Sequence, residues 1–449
     1  MKNGLKLLIC LIAFLSMQCT TFANAISKTI SQSGINKDGI SVSIRDVATG
    51  KVIYVQNSKK PTMPASTLKI VTLSASLDTL GKDYKFSTKL YKNTNNELFL
   101  KLGADPFLVS SDLNKIFKTA VENKKILSQK FIYVDDYVLD SIEWGEGWQW
   151  DDDLNPLMPK FSSYNIDKNL LGITVASTSL NAPANIYTSK FYPITFMNLV
   201  TTGTENNVSI SRNNSISPDI ITVEGIIKNQ QTELIPINHP KRYFILRMED
   251  AISSSKMEYY EKFAQKKVPS SNVYLVSQVD HDITDAINEI LKNSNNFVAE
   301  TVFKLAGGKY VNNTGSLKNS QKMLSNYFEK LNLNSDDIKI VDGSGVSKNN
   351  LMTTDFMTEF LSKQEVINSI KAELPTAGEG TLKNRMLYFK DNLRAKTGTL
   401  ADVSAISGYI TSRNGKTYAF DIMINDPKSK SGDKKSLEEY ILREVYTNY

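Results

Sequence analysis

Ser66-Thr67-Leu68-Lys69 and Ser294-Asn295-Asn296, two short runs whose residue types belong to one kind of active site, stand about 230 residues apart, far more than one sheet crossover needs. A chain that joins them in one site must interrupt the domain that holds them with an inserted module. A third run, Lys396-Thr397-Gly398-Thr399, follows near the end. In that order the three describe a serine nucleophile activated by a lysine, a chemistry that needs no histidine.

Singly the runs weigh unequally. Ser-x-x-Lys recurs at Ser253/Lys256 and Ser431/Lys434, and Ser-x-Asn recurs several times, whereas Lys-Thr-Gly occurs once. Context separates the set from its decoys. Ser66 opens the segment 67–80, whose apolar Leu68, Ile70, Val71, Leu73, Leu77 and Leu80 predict a buried helix stopped by Gly81. At the first turn of such a helix the serine sits in the positive field of the helix N-terminus, with Lys69 one turn on along the same face. Ser294 directly precedes an apolar stripe at helical spacing, Phe297, Val298, Thr301, Val302 and Leu305. Its strongest competitor, Ser347-Lys348-Asn349, follows the loop-like Asp342-Gly343-Ser344-Gly345. Lys396-Thr397-Gly398 lies in 393–400, ahead of the alternating runs 404–411 and 417–425 joined by Arg413-Asn414-Gly415. The Asn-Gly pair predicts a hairpin, and so places the third run on a strand of an antiparallel sheet.

Residues 1–25 read as a secretory leader: Lys2 and Lys6, an apolar stretch 7–15, then Ala23-Asn24-Ala25. That predicts a mature chain starting at Ile26 in the periplasm; lipidation at Cys19 is the alternative. Both cysteines, Cys10 and Cys19, fall in this leader, leaving no disulfide or thiolate ligand afterwards. With 53 Lys and Arg against 47 Asp and Glu, two of the lysines in the leader, nothing favours nucleic acid. The two histidines, His239 and His281, make neither a metal cluster nor a Ser-His-Asp enzyme plausible. No later run is long and apolar enough for a membrane anchor.

The runs 40–45 and 52–55 read as a hairpin ahead of Ser66, so both ends of the chain contribute to one sheet domain. We expect that domain at 26–83 and 281–449, interrupted by a mostly β module at 84–280. Strand-like runs in the module include 131–134, 171–175, 220–223 and 242–246. Its three tryptophans lie in Trp144-Gly145-Glu146-Gly147-Trp148-Gln149-Trp150, followed by Asp151, Asp152 and Asp153. They read either as a packed aromatic turn beside a solvated loop or as an acidic rim for a cationic part of a substrate.

Taken together, the three runs, the long insert, its Trp-rich segment, Asp342-Gly343-Ser344-Gly345-Val346-Ser347 and Gly380-Thr381-Leu382 with Arg385 resemble the low-molecular-mass, class C penicillin-binding proteins, the D-alanyl-D-alanine carboxypeptidase/endopeptidase family. The resemblance implies an α/β (α+β) fold of the penicillin-recognising transpeptidase and β-lactamase type. It implies no cofactor, peptidoglycan stem peptides as substrates, and covalent inhibition by β-lactams. Ser66 would then attack the penultimate D-Ala carbonyl, with Lys69 as base, its pKa lowered by burial beside Lys396. Ser294 would relay a proton to the leaving amine, and Asn296 would hold the substrate amide. Lys396 and Thr397 would bind the terminal carboxylate, and Gly398 would let the strand approach. The backbone N–H groups of Thr399 and Ser66 would form the oxyanion hole. Asp152 best matches the family's residue for the amino group of the diamino acid, with Asp151 and Asp153 as the alternatives. Lys348 stands where the family has an arginine, supplying charge without a bidentate fork. Two rivals remain: a β-lactamase or esterase on the same scaffold, and a non-catalytic peptidoglycan-binding protein.

Overall fold

The computed structural model describes residues 25–448 apart from Lys130, Asn213, Ser215, Glu261 and Lys262; the expected leader lies outside the described residues except for Ala25. The chain divides into two compact units. One comprises the described residues up to Gly81, Thr284–Asn295 and the described residues from Leu317 onward; the other comprises Lys82–Ile283 and Asn296–Ser316.

The first unit is built on a five-stranded antiparallel sheet in the order Leu393–Leu400, Val403–Thr411, Thr417–Asn425, Ile40–Asp46, Val52–Gln56. The expected hairpin is present: Thr411 pairs with Thr417, and Gly415 closes the turn at φ +77°. Side chains alternate across the sheet. One face carries Val42, Ile44, Leu393, Ile406, Phe420 and Ile422, which pack with Ile26 and Ile30 and with Leu437, Ile441 and Leu442 of the closing Ser431–Asn448 helix. The other face is partly polar. Lys396, Ser407, Asp421 and Ser43 stand opposite one another across four strands, and Ser43 meets Thr358 of the Thr354–Leu361 helix at 2.7 Å.

On that second face runs the helix Leu68–Leu80, entered through a tight turn at Ala65–Thr67. Its apolar residues leave no polar stripe, so every side chain from Leu68 to Leu77 is buried. Gly81 stops it as expected, at φ +86° with its N–H on the Leu77 carbonyl at 2.9 Å. Among the described residues no helix is long and apolar enough to cross a membrane.

The second unit holds a five-stranded mixed sheet in the order Ala264–Gln265, Ile132–Asp135, Leu98–Lys101, Lys85–Asn93, Val273–Asp282, with further small sheets and the helices Ser110–Lys124 and Pro240–Ser254. Three of the expected strands form, at Ile132–Asp135, Leu170–Ala176 and Ile220–Ile227. The fourth does not: 242–246 lies inside the Pro240–Ser254 helix. Proline at the helix start fixes the first turn, and Tyr243, Phe244, Met248, Ala251 and Ile252 recur at helical spacing as the buried face. Residues 296–316 also pack here, not with the rest of 281–449. The Asn296–Val311 helix is buried from Phe297 to Gly308, its Thr301 hydroxyl accepts from Asn165 at 3.2 Å, and Lys304 pairs with Asp140.

Candidate active site

Eight of the ten expected residues fall in the first unit, and seven of them belong to the three runs: Ser66, Lys69, Ser294, Lys396, Thr397, Gly398 and Thr399. Ser66 sits half-buried in the turn before its helix. The preceding Ala65 holds φ +48°, a left-handed conformation unusual without glycine. Lys69, one turn on, is fully buried; its amine nitrogen lies 2.9 Å from the Ser66 hydroxyl and donates to the Ser344 carbonyl at 2.7 Å.

That carbonyl is held by a loop organised around one carboxylate. Asp342, buried, accepts from the backbone N–H of Gly345 at 2.8 Å and of Ser347 at 2.7 Å, and from the Asn350 amide at 2.8 Å. The Gly343 carbonyl accepts from Thr72 of the nucleophile's helix at 2.7 Å. At Gly345, φ is +81°, and a Cβ would lie 2.0 Å from the Ala65 carbonyl oxygen. Only glycine allows the loop to press on the turn that carries Ser66.

Lys396 enters from the edge strand. Fully buried, it donates to the Ser294 hydroxyl at 2.8 Å and to the Thr397 carbonyl at 2.8 Å. Burial first, then the charge of Lys69, hold its amine well below the ordinary lysine range. Two buried amines repel each other, and the site has a strong reason to shed one proton. Ser294 itself has φ +58°, on a loop fixed by the Asn295 N–H on the Glu289 carbonyl and the Asn295 amide on the Glu289 carboxylate, both 2.9 Å.

The strand's direction sets the remaining groups. Its Ala395 N–H donates to the Pro375 carbonyl at 3.0 Å, away from the neighbouring strand. The two-residue repeat turns the N–H groups of Thr397 and Thr399 to the same open edge. A Cβ on Gly398 would stand 2.9 Å from the backbone nitrogen of Ser66 and the carbonyl of Pro64, so the missing side chain is what brings the strand against the nucleophile. Thr397 donates to Thr381 at 2.8 Å.

The other three expected residues are placed differently. Asn296 and Asp152 belong to the second unit. Asn296 opens its helix, and its amide donates to the Leu157 carbonyl at 2.9 Å. Asp152 is half-exposed in the turn Trp150–Asp152, where Asn155 reaches it at 3.5 Å; Asp153 is taken up by Arg212 at 3.2 Å. Trp144 and Trp148 pack edge to face at 5.1 Å, while Trp150 is exposed. Lys348, in the first unit, is exposed and lies 3.9 Å from Asp402. Sequence reading assigned no role to Ser344, Asp342 or Thr381. Ser344 acts through a main-chain oxygen, which has no residue signature; the Asp-Gly-Ser-Gly run was the only visible trace.

A buried lysine against a helix-borne serine, and a second lysine on the edge strand against a second serine, define the class: a serine peptidase of the penicillin-recognising fold. The D-Ala-D-Ala carboxypeptidase 3 (S13) family model matches residues 22–443. The chain belongs to that family and is a serine-type D-Ala-D-Ala peptidase. It is 25% identical to the D-alanyl-D-alanine carboxypeptidase of Actinomadura sp. (strain R39), over 86% of this chain and 77% of that one. It is 22% identical to the D-alanyl-D-alanine carboxypeptidase DacB of Haemophilus influenzae, over 96% of each. The crystal structure of penicillin binding protein 4 from H. influenzae superposes with a TM-score of 0.81 at 20% identity, covering 94% of this chain and 99% of that one, which establishes the shared fold.

Proposed function

We propose that Ser66 is the acylated nucleophile of a periplasmic DD-peptidase that cleaves D-Ala-D-Ala, and D-Ala-diamino acid cross-links, in peptidoglycan stem peptides. The observation that carries the reading is the 2.9 Å contact between the Lys69 amine and the Ser66 hydroxyl. Neutral Lys69 has two N–H donors, one of which keeps the Ser344 carbonyl, and a lone pair for the serine proton. As the serine oxygen attacks the penultimate D-Ala carbonyl, its proton passes to Lys69. The oxyanion forms against the N–H groups of Ser66 and Thr399, where one donor is worth about 3 kcal/mol.

The terminal carboxylate docks on Lys396 and Thr397. Its negative charge favours the protonated form of Lys396, and the like-charge repulsion then leaves Lys69 as the neutral amine. Ser294, hydrogen-bonded to Lys396, hands a proton to the leaving amine; Asn296 holds the substrate amide, Asp152 the diamino acid, and Lys348 adds positive charge near the site. Water releases the acyl group. A β-lactam offers the same carboxylate and a strained amide, and so acylates Ser66 in turn. The test is intact-mass analysis after exposure to a penicillin. We expect a persistent adduct on the wild type and none on Ser66→Ala. A folded wild type that neither forms an adduct nor turns over the drug would overturn the assignment, and rapid turnover would mark a β-lactamase.

A further inference from the structure

The second unit contains a pocket of about 1110 Å³ that the peptidase chemistry does not use. Five aromatic side chains line it: Phe131, Tyr164, Tyr259, Tyr260 and Phe263. Tyr259 and Phe263 stack at 5.5 Å, and Tyr260 is 69% exposed, a large ring offered to solvent rather than packed. Among the described residues, the polar side chains set beside these rings are Lys241, Glu249 and Gln265.

Their placement is regular. Lys241, Ile245 and Glu249 recur every four residues on the Pro240–Ser254 helix, so one face of that helix forms a wall with its two charges about 12 Å apart. Lys241 lies 5.1 Å from the centre of the Tyr164 ring and 3.9 Å from the Asp136 carboxylate. Asp136 also accepts from Tyr164 at 2.7 Å and from Gln265 at 2.5 Å. Beyond this cluster a second hollow of about 450 Å³ shares Tyr164, Lys241 and Gln265 as walls and is lined by Asp140, Glu143 and several hydroxyls. The first hollow is thus a groove of aromatic faces whose donors and acceptors lie on the wall it shares with the second.

We propose that this groove binds a glycan, namely the β-linked N-acetylated amino-sugar strand from which stem peptides hang. A sugar ring presents an apolar C–H face to an aromatic ring and a rim of hydroxyl and acetamido groups to charged and amide side chains, and the groove answers both. A hydrocarbon chain would leave Lys241, Glu249 and Gln265 facing apolar matter, a costly arrangement. The inference rests on the reading of the chain as a peptidoglycan peptidase and adds a hold on the polymer itself, separate from the peptide that is cut.

The probe is the N-acetylglucosamine hexamer, titrated calorimetrically into the full mature chain, with penicillin acylation of Ser66 followed in parallel. Saturable one-site binding is expected, weakened at least tenfold by Tyr260→Ala and by Lys241→Ala, with acylation rates unchanged within twofold. Absence of saturable binding in protein that acylates normally would overturn the glycan site and leave the peptidase reading intact. So would binding that both variants retain, or displacement of the hexamer by a sugar-free stem pentapeptide. Hexamer binding without acylation would uphold the site and sink the peptidase reading.

Discussion

The amine of Lys396 stands 2.8 Å from the hydroxyl of Ser294, joining a buried strand residue to a loop residue held at positive φ. If Ser294 carries the leaving-group proton, Ser294→Ala removes the carrier and leaves the nucleophile and its base in place. Acylation by a penicillin should slow by about 10²–10⁴-fold in stopped-flow measurements, while the adduct, once formed, keeps the expected mass. An unchanged rate would remove Ser294 from the proton path.

Lys396 is held against its own stability. An exposed lysine in the unfolded chain titrates near 10.4, whereas burial and Lys69 depress the folded value. The folded state therefore binds the proton less readily than the unfolded state. The cost is greatest below the folded pKa, declines as pH rises through it, and is gone above about 10.4. Lys396→Met should stabilise the fold by about 1–4 kcal/mol at pH 7, by less at pH 10, and abolish acylation. Urea unfolding at the two pH values checks it; a destabilised variant at pH 7 would contradict the argument.

Asp342 acts on catalysis through a carbonyl it does not contain. Its hydrogen bonds from Gly345, Ser347 and Asn350 fix the loop that carries the Ser344 oxygen to Lys69. Asp342→Asn replaces one accepting oxygen with a donor that must face another donor, at a cost of about 1–3 kcal/mol. We expect that loss in denaturant melts together with a displaced pH–rate profile for acylation, because Lys69 loses its anchor. A stability loss with an unchanged profile would reduce Asp342 to a structural role.

Asp421 lies in the same cross-strand row as Lys396, fully buried, with Ser407 on one oxygen and no hydrogen-bond partner among the described residues for the other. Burial raises its pKa well above the ordinary carboxylate value. Here the folded state favours the proton, so stability is full below about pH 4 and declines as pH rises toward the folded value. Asp421→Asn removes that decline. The variant should be more stable than the wild type at pH 7 by about 1–3 kcal/mol, read as a higher melting temperature, and the advantage should shrink at pH 4.

Legibility in the sequence followed the kind of group involved. Ser66 and Lys69 were readable because a buried helix behind a Ser-x-x-Lys run is visible as apolar spacing. The strand bearing Lys396 was readable because Asn414-Gly415 announces the hairpin of the two strands that follow it. Arg242–Leu246 was misread because five residues with an apolar majority fit a strand or a helix equally well; Pro240 and the later Met248, Ala251 and Ile252 settle it only over a longer window. The Ser344 carbonyl and the left-handed Ala65 and Ser294 are main-chain properties that tertiary packing imposes. The assignment of 296–316 to the second unit likewise depends on distant partners such as Asn165 and Asp140.

The strand Ile40–Asp46 pairs locally with Val52–Gln56 on one side, but its other neighbour is Thr417–Asn425, where Ile40 meets Ile424, so the central sheet closes only when that late strand has been made. Contacts that distant in sequence close slowly, whereas the intervening unit has its own core and needs no late strand from the C-terminal end. Ser66 and Lys69 are made early and the strand Leu393–Leu400 late, so a chain cut short before Leu393 lacks Lys396 and the proposed site stays incomplete.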